Sequence, residues 1–363
     1  MKYNFSDSVL KPVTLKPYSY ISPSISTRGK FFLVFLLLQV GMLFITESFS
    51  SILILIASTL ASVACEVIFK KLNENVSSNF LISIIQGILI GLFIPETYFP
   101  AAVFFITFLS LVISKYAFGG FAKSWVNPVA LTVAVMFMLD AAKFPLFTVT
   151  MQNLQEKNAA LSLIQNGTVH IQGFDSTITL FLNEYIFKHL GFSIPEGYVS
   201  LFWDSGSFIP AFRFNALTIF SSLVLFSFNI VDCLVPGIFI GVYVLLVRFV
   251  SPFFTGGIPM QGDILLSILT GGTLFSALYL FQCYGTTVQT KAGKIIYGII
   301  SGIVGFFVIG FGTSSIGAVF TVLIMNILTP VMEVFEEKSV AKKIQKILVP
   351  QSLALMEVEN NGK

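Results

Sequence analysis

The sequence predicts an all-α integral membrane protein with ten transmembrane helices. Three observations carry that prediction. Hydrophobic residues make up 55% of the 363-residue chain and charged residues only 11%, against about 25% charged in a soluble domain. Mean hydropathy is +0.87, and apolar runs reach the length of about 18 residues that lets a helix cross a hydrocarbon core of about 30 Å. The runs lack the two-residue alternation of a membrane barrel, so they read as helices.

The first 29 residues are polar and contain Pro12, Pro17 and Pro23. They lack the basic, apolar and small-residue order of a cleaved signal. The first apolar run is therefore expected to insert and stay. Ten spans follow, near 30–47, 51–69, 80–96, 99–116, 126–141, 216–233, 235–253, 262–283, 293–311 and 315–334. Asn127-Pro128 opens the fifth, and Asn326 and Pro330 interrupt the tenth. Proline frees a carbonyl and asparagine offers an amide, so these points suit either a kink or a broken helix lining a cavity.

An even number of spans puts both termini on one side. With the termini inside, the inner segments hold all of the 21 basic residues except Lys143, Lys157, Lys188, Arg213 and Arg248. That split follows the positive-inside rule. The net charge of +3 thus reports topology and gives no reason to expect nucleic acid as a partner. The organisation reads as a cytoplasmic tail 1–29, a five-helix half 30–141, an extracytoplasmic loop 142–215, a second five-helix half 216–335 and a cytoplasmic tail 336–363. Five spans per half is odd, so repeats of this kind would be inverted. A faint echo supports that: GGFAKSWVNPVALTVAVM (119–136) and GFGTSSIGAVFTVLIMN (310–326) both run from a Gly-rich turn into a helix.

Features that could carry chemistry are few. Gly271, Gly272, Gly298, Gly302 and Gly305 suit close helix packing. Glu66, Asp140, Asp232, Asp263, Arg248 and Glu333 lie near the membrane, most of them at predicted helix ends that can reach water. Asp263 opens DILLSILTGG and reads first as an N-cap. Asn127, Asp263 and Asn326 are the candidate ion-path residues. Cys65, Cys233 and Cys283 are scattered, no CxxC exists, and His170 and His189 lie far apart, so no metal site is expected. NGT at 166–168 matches a common glycosylation tripeptide. No phosphate-binding loop, HExxH, GxSxG or dinucleotide GxGxxG is present. The long loop holds GFDSTITLFL (173–182), whose hydroxyls include Ser176 and Thr179.

GDILLSILTGGTLFSALYLF (262–281), TKAGKIIYGIISGIVGFFVIGFGTSSIGAVFTVLIMNILTPVME (290–333) and WVNPVAL (125–131) resemble blocks of the NqrB/RnfD family. These are membrane subunits of the sodium-translocating NADH:quinone reductase and of the Rnf complex. The likeness runs from about residue 30 to 335, and the length suits the RnfD branch. It implies a urea-transporter-like core of two inverted five-helix repeats in the bacterial inner membrane, both ends cytoplasmic. It also implies a covalent FMN on a threonine of an S-x-x-T motif, attached by a flavin transferase, with partner subunits in a redox-driven Na+ or H+ pump. The motif's match here is Ser176 and Thr179, with Thr177-Ile178 where the family has Gly-Ala. A second, noncovalent flavin is compatible with the resemblance. The alternatives are a non-redox channel or transporter on the same scaffold, and a structural subunit without flavin.

Overall fold

The structure, a computed structural model, describes residues 23–361 except 73–78, 121–122, 146–170, 192, 256–259, 261, 283–285, 289 and 311–313. His170, Cys283 and the NGT tripeptide lie outside the described residues. The described chain is all-α, with no strand.

The principal helices, in order, are α1 Ile25–Ile45, α2 Phe49–Leu72, α3 Phe80–Phe93, α4 Pro100–Leu111, α5 Pro128–Leu139, α6 Asp175–Leu182, α7 Tyr198–Trp203, α8 Asn215–Ser227, α9 Leu234–Phe249, α10 Ile264–Thr270, α11 Thr273–Tyr279, α12 Lys291–Gly305 and α13 Gly317–Asn361. Four helical segments are long and apolar enough to cross a membrane: Ile25–Ile45, Phe49–Leu72, Lys291–Ile309 and Gly317–Lys342. Others are apolar but shorter, among them Phe80–Phe93, Pro100–Tyr116 and Leu234–Phe249.

Small residues decide how these helices meet. Ser58 and Ser62 on α2 donate to the carbonyls of Gly87 (2.8 Å) and Ser83 (2.7 Å) on α3. A side chain at Gly87 would place its Cβ 2.5 Å from the Thr59 Cα. In the second half, Gly298 and Gly302 of α12 let α9 approach, and a Cβ at either would lie 2.8 Å or 2.7 Å from Ile238 or Val242. Close approach of this kind lets dispersion and hydrogen bonds hold helices where lipid tails supply no hydrophobic drive.

The predicted single span at 262–283 is broken. Gly271-Gly272 separates α10 from α11, and Gly272 has φ +63°. An L side chain is strained there, and the Phe212 ring occupies the space a Cβ would need. Asn215 bridges across, donating to the carbonyls of Leu269 (2.8 Å) and Leu201 (3.0 Å). That satisfies a backbone acceptor at the break, as buried irregular backbone requires.

The halves share one core. Its buried cluster includes Leu36, Phe93 and Val129 with Phe239, Tyr297 and Met325. Across the halves, α1 packs on α8 and α5 on α13.

Candidate functional site

Glu66 lies near the end of α2, on the same stripe as Ser58 and Ser62. The sequence marks it as one of six ionisable residues near the membrane, most of them at predicted helix ends that can reach water. In the structure Glu66 is 4% exposed and pairs with Lys115 at 3.1 Å. Lys115 lies on a π turn, Val112–Tyr116, that continues α4. A π turn re-aims side chains relative to a regular helix, and here Lys115 and Tyr116 both reach Glu66. The ammonium donates to Glu66 Oε2, to Ser83 Oγ (3.0 Å) and to Gln86 Oε1 (2.9 Å). Glu66 also accepts from Ser83 Oγ and the Tyr116 hydroxyl, each at 2.7 Å, and from the Asn79 amide at 3.0 Å. The pair thus has the additional hydrogen bonds that dry charges require.

A cavity of about 120 Å³ opens beside this pair. Its polar lining comes from both halves and includes Gln86, Lys115, Ser124, Asn127, Tyr279 and Gln282, with Arg28 at the start of α1. At its edge, Gln282 accepts from the Asp232 amide at 3.1 Å, and Lys294 donates to the Asp232 carboxylate at 2.7 Å.

The candidate path residues fall in three places. Asn127 caps α5, accepting from Val129 N (3.0 Å) and Ala130 N (3.3 Å), and donates to Leu280 O at 2.9 Å. Asp263 caps α10 through Leu266 N (3.0 Å) and accepts from the Tyr198 hydroxyl at 2.8 Å. Asn326 is 1% exposed on α13, and neither amide atom has a hydrogen-bond partner among the described residues. No hydrogen bond joins any two of the three. Only Asn127 lines the cavity.

The loop residues correct the flavin expectation. Ser176 lies half-buried in the first turn of α6, and Thr179 is 2% exposed inside that helix. Thr179 Oγ1 donates to Asp175 Oδ1 at 3.0 Å. The Asp175 carboxylate, fully buried, also accepts from Gly197 N (2.8 Å), Ser200 N (2.6 Å) and Ser200 Oγ (2.5 Å). Burial raises its pKa, but these hydrogen bonds prevail and hold it below the usual carboxylate range. A covalent FMN phosphate on Thr179 would press a second anion against that dry carboxylate, where unpaired charge is costly. Asp175 is the fastener between α6 and α7, and Thr179 supports its carboxylate from one turn along α6, so Thr179 does not serve as a flavin acceptor. Nor does the cavity suit a noncovalent flavin, because its volume of about 120 Å³ falls below the roughly 300–1,000 Å³ of small-molecule pockets. Among the described residues no group of His, Cys, Asp and Glu gathers as metal ligands.

A family profile described as the NQR2, RnfD, RnfE family matches residues 13–342. The chain belongs to that family. Three similar proteins are distant in sequence yet align over most of the chain. One is the D subunit of the ion-translocating oxidoreductase complex of Buchnera aphidicola subsp. Baizongia pistaciae (strain Bp), 23% identical, covering 80% of this chain and 87% of the relative. The protein of the same name from Actinobacillus pleuropneumoniae serotype 5b (strain L20) is 21% identical over 76% and 82% of the two chains. The D subunit of the proton-translocating ferredoxin:NAD(+) oxidoreductase complex of Clostridium ljungdahlii is 20% identical over 78% and 82%.

Proposed function

We propose that this chain is a non-catalytic membrane subunit of an ion-translocating oxidoreductase complex and lines part of that complex's cation path. The family match and the names of the aligned relatives support the class of complex. The observation that carries the path is the Glu66–Lys115 pair, dry and beside a cavity that both halves line. An ionisable pair within a membrane span marks an ion or proton route by default. The physical mechanism is competition. Lys115 neutralises Glu66 in this state, and a Na+ or H+ arriving from the cavity replaces the ammonium on the carboxylate.

In this reading the chain crosses the bacterial inner membrane ten times. Two inverted five-helix halves, 30–141 and 216–335, flank the extracytoplasmic loop 142–215, and both tails are cytoplasmic. The distribution of basic residues supports the orientation. One interruption of helical backbone supports a broken-helix core, Gly271–Gly272 in the second half. Asn127 holds the halves together at the cavity, Asp263 fixes the outer end of α10, and Asn326 offers a free amide on α13. Other members of the complex are the partners and would carry the redox step.

The test is Glu66→Gln in the assembled complex, reconstituted in liposomes. Ion flux per electron is expected to fall about tenfold or more, the equivalent of ~1.4 kcal/mol of lost binding, with assembly intact. Unchanged flux per electron would remove Glu66 from the path.

A further inference from the structure

The polar lining of the cavity does not stop at Tyr279. Thr273, Ser276 and Tyr279 follow one another at three-residue spacing along α11, so their hydroxyls climb one side of that helix. All three are buried, at 0%, 0% and 4% exposure. α8 packs against α11 and brings Thr218 and Ser221, also buried, and α1 packs against α8 and brings Gln39. Gln39 Nε2 donates to Thr218 Oγ1 at 3.0 Å. Thr218 and Ser221 give their own protons back to the backbone, at Phe214 O (3.0 Å) and Leu217 O (2.7 Å). Their oxygens keep acceptor capacity.

Two hydroxyls of this seam are unsatisfied. Ser276 Oγ and the Tyr279 hydroxyl have no hydrogen-bond partner among the described residues. Tyr279 faces Ser221 without hydrogen-bond geometry. Lipid tails offer no partner at this depth, and a buried hydroxyl left unpaired is costly. Tyr279 opens onto the cavity. At the other end, Thr273 lies directly beyond the Gly271–Gly272 break.

We propose that this seam binds a file of water molecules, held by Ser276 and Tyr279 with Gln39, Thr218 and Ser221, continuing the cavity along α11 towards the helix break. A buried water needs two to four polar partners, and the seam supplies hydroxyls and an amide on three helices. The file is a medium for a proton or a small hydrated cation. That use rests on the ion-path reading above, whereas the hydration does not.

The experiment uses silver ion, a small thiol-reactive cation, on membranes containing the full complex. In a background with Cys65, Cys233 and Cys283 replaced by serine, Ser276→Cys is treated with silver and then labelled with maleimide after denaturation. Silver is expected to block labelling of S276C and to leave Leu278→Cys, a buried position turned away on α11, fully labelled. Labelling of S276C undiminished by silver, with exposed Cys233 restored as a reactive control, overturns the seam. If S276C does not assemble, Ser221→Cys takes its place with the same two outcomes. A second arm measures ion flux per electron in Ser276→Val. Silver access with lowered flux upholds both the seam and its use. Silver access with unchanged flux upholds the seam and overturns only its role in transport.

Discussion

Asn127 and Leu280 lie 153 residues apart and share a 2.9 Å hydrogen bond between halves of the chain. The same side chain caps α5. Asn127→Ala is expected to lose both, about 2 kcal/mol from a cap worth ~1 and a hydrogen bond worth ~1. Asn127→Ser keeps the cap and loses the bridge, so it should fall between wild type and N127A. Thermal unfolding in detergent checks the order. Equal midpoints for all three would mean that the bridge carries no stability.

Glu66 and Lys115 differ from a surface pair in what their removal does. Glu66→Ala leaves an ammonium buried without its carboxylate and is expected to cost ~3–5 kcal/mol. The double substitution Glu66→Met with Lys115→Met removes both charges and should cost markedly less. A double-mutant cycle on unfolding midpoints measures the coupling, and strictly additive losses would contradict it.

Asp175 makes the loop sensitive to acid. Its folded pKa is depressed, while the unfolded carboxyl titrates near about 3.9. The stabilisation is therefore fully present above about pH 4 and is lost as pH falls through the lower folded value. Limited proteolysis of the 171–204 region should accelerate in strong acid in wild type. Asp175→Asn should be cleaved faster at neutral pH and show little further change on acidification. Thr179→Val, which removes one hydrogen bond to the carboxylate, should cost about 1.5–3 kcal/mol of local stability. A pH profile for D175N that overlays wild type would sink this account.

Glycines on two helices should respond in opposite directions. Gly302→Leu overpacks α12 against Val242 and is expected to cost at least about 1–3 kcal/mol. A methyl group added at Gly41 in α1 would meet nothing within 4 Å, so Gly41→Ala should be neutral or stabilise by up to ~1 kcal/mol through helix propensity. Melting curves of the two variants, run side by side, decide the matter.

Parts of this arrangement were legible in the amino-acid order. Helices stand at each apolar run, and the close contacts of Gly298, Gly302 and Gly305 follow from small residues at helical spacing. Asp263 caps its helix as its place before an apolar run suggests. The break at Gly271–Gly272 was readable only as packing, because nothing local says that Phe212 fills the space over Gly272. Glu66 was hidden for a related reason. Near the end of a span a carboxylate can reach water or turn inward, and hydropathy averages do not distinguish the two. The signal available was the run Ser58, Ser62, Glu66 opposite Ser83 and Gly87, a polar stripe with no cause to exist on a lipid face.

The loop hydroxyls teach the opposite lesson. Ser176 and Thr179 match a flavin-acceptor spacing, and the same four-residue step from Asp175 to Thr179 is also one helical turn. The motif does not say which applies. The helix does, by turning Thr179 inward onto a buried carboxylate.

By itself the sequence determined that this is a helical membrane chain, where its apolar helices run, and which family it resembles. Those properties are sums over neighbouring residues, and the chemistry of lipid reads them directly. Only the tertiary structure decided that Glu66 meets Lys115, that Asn127 reaches Leu280 and that Thr179 is enclosed. Each depends on bringing residues together from separate turns or separate helices, and a pairing of that kind has no local signature until the helices have packed.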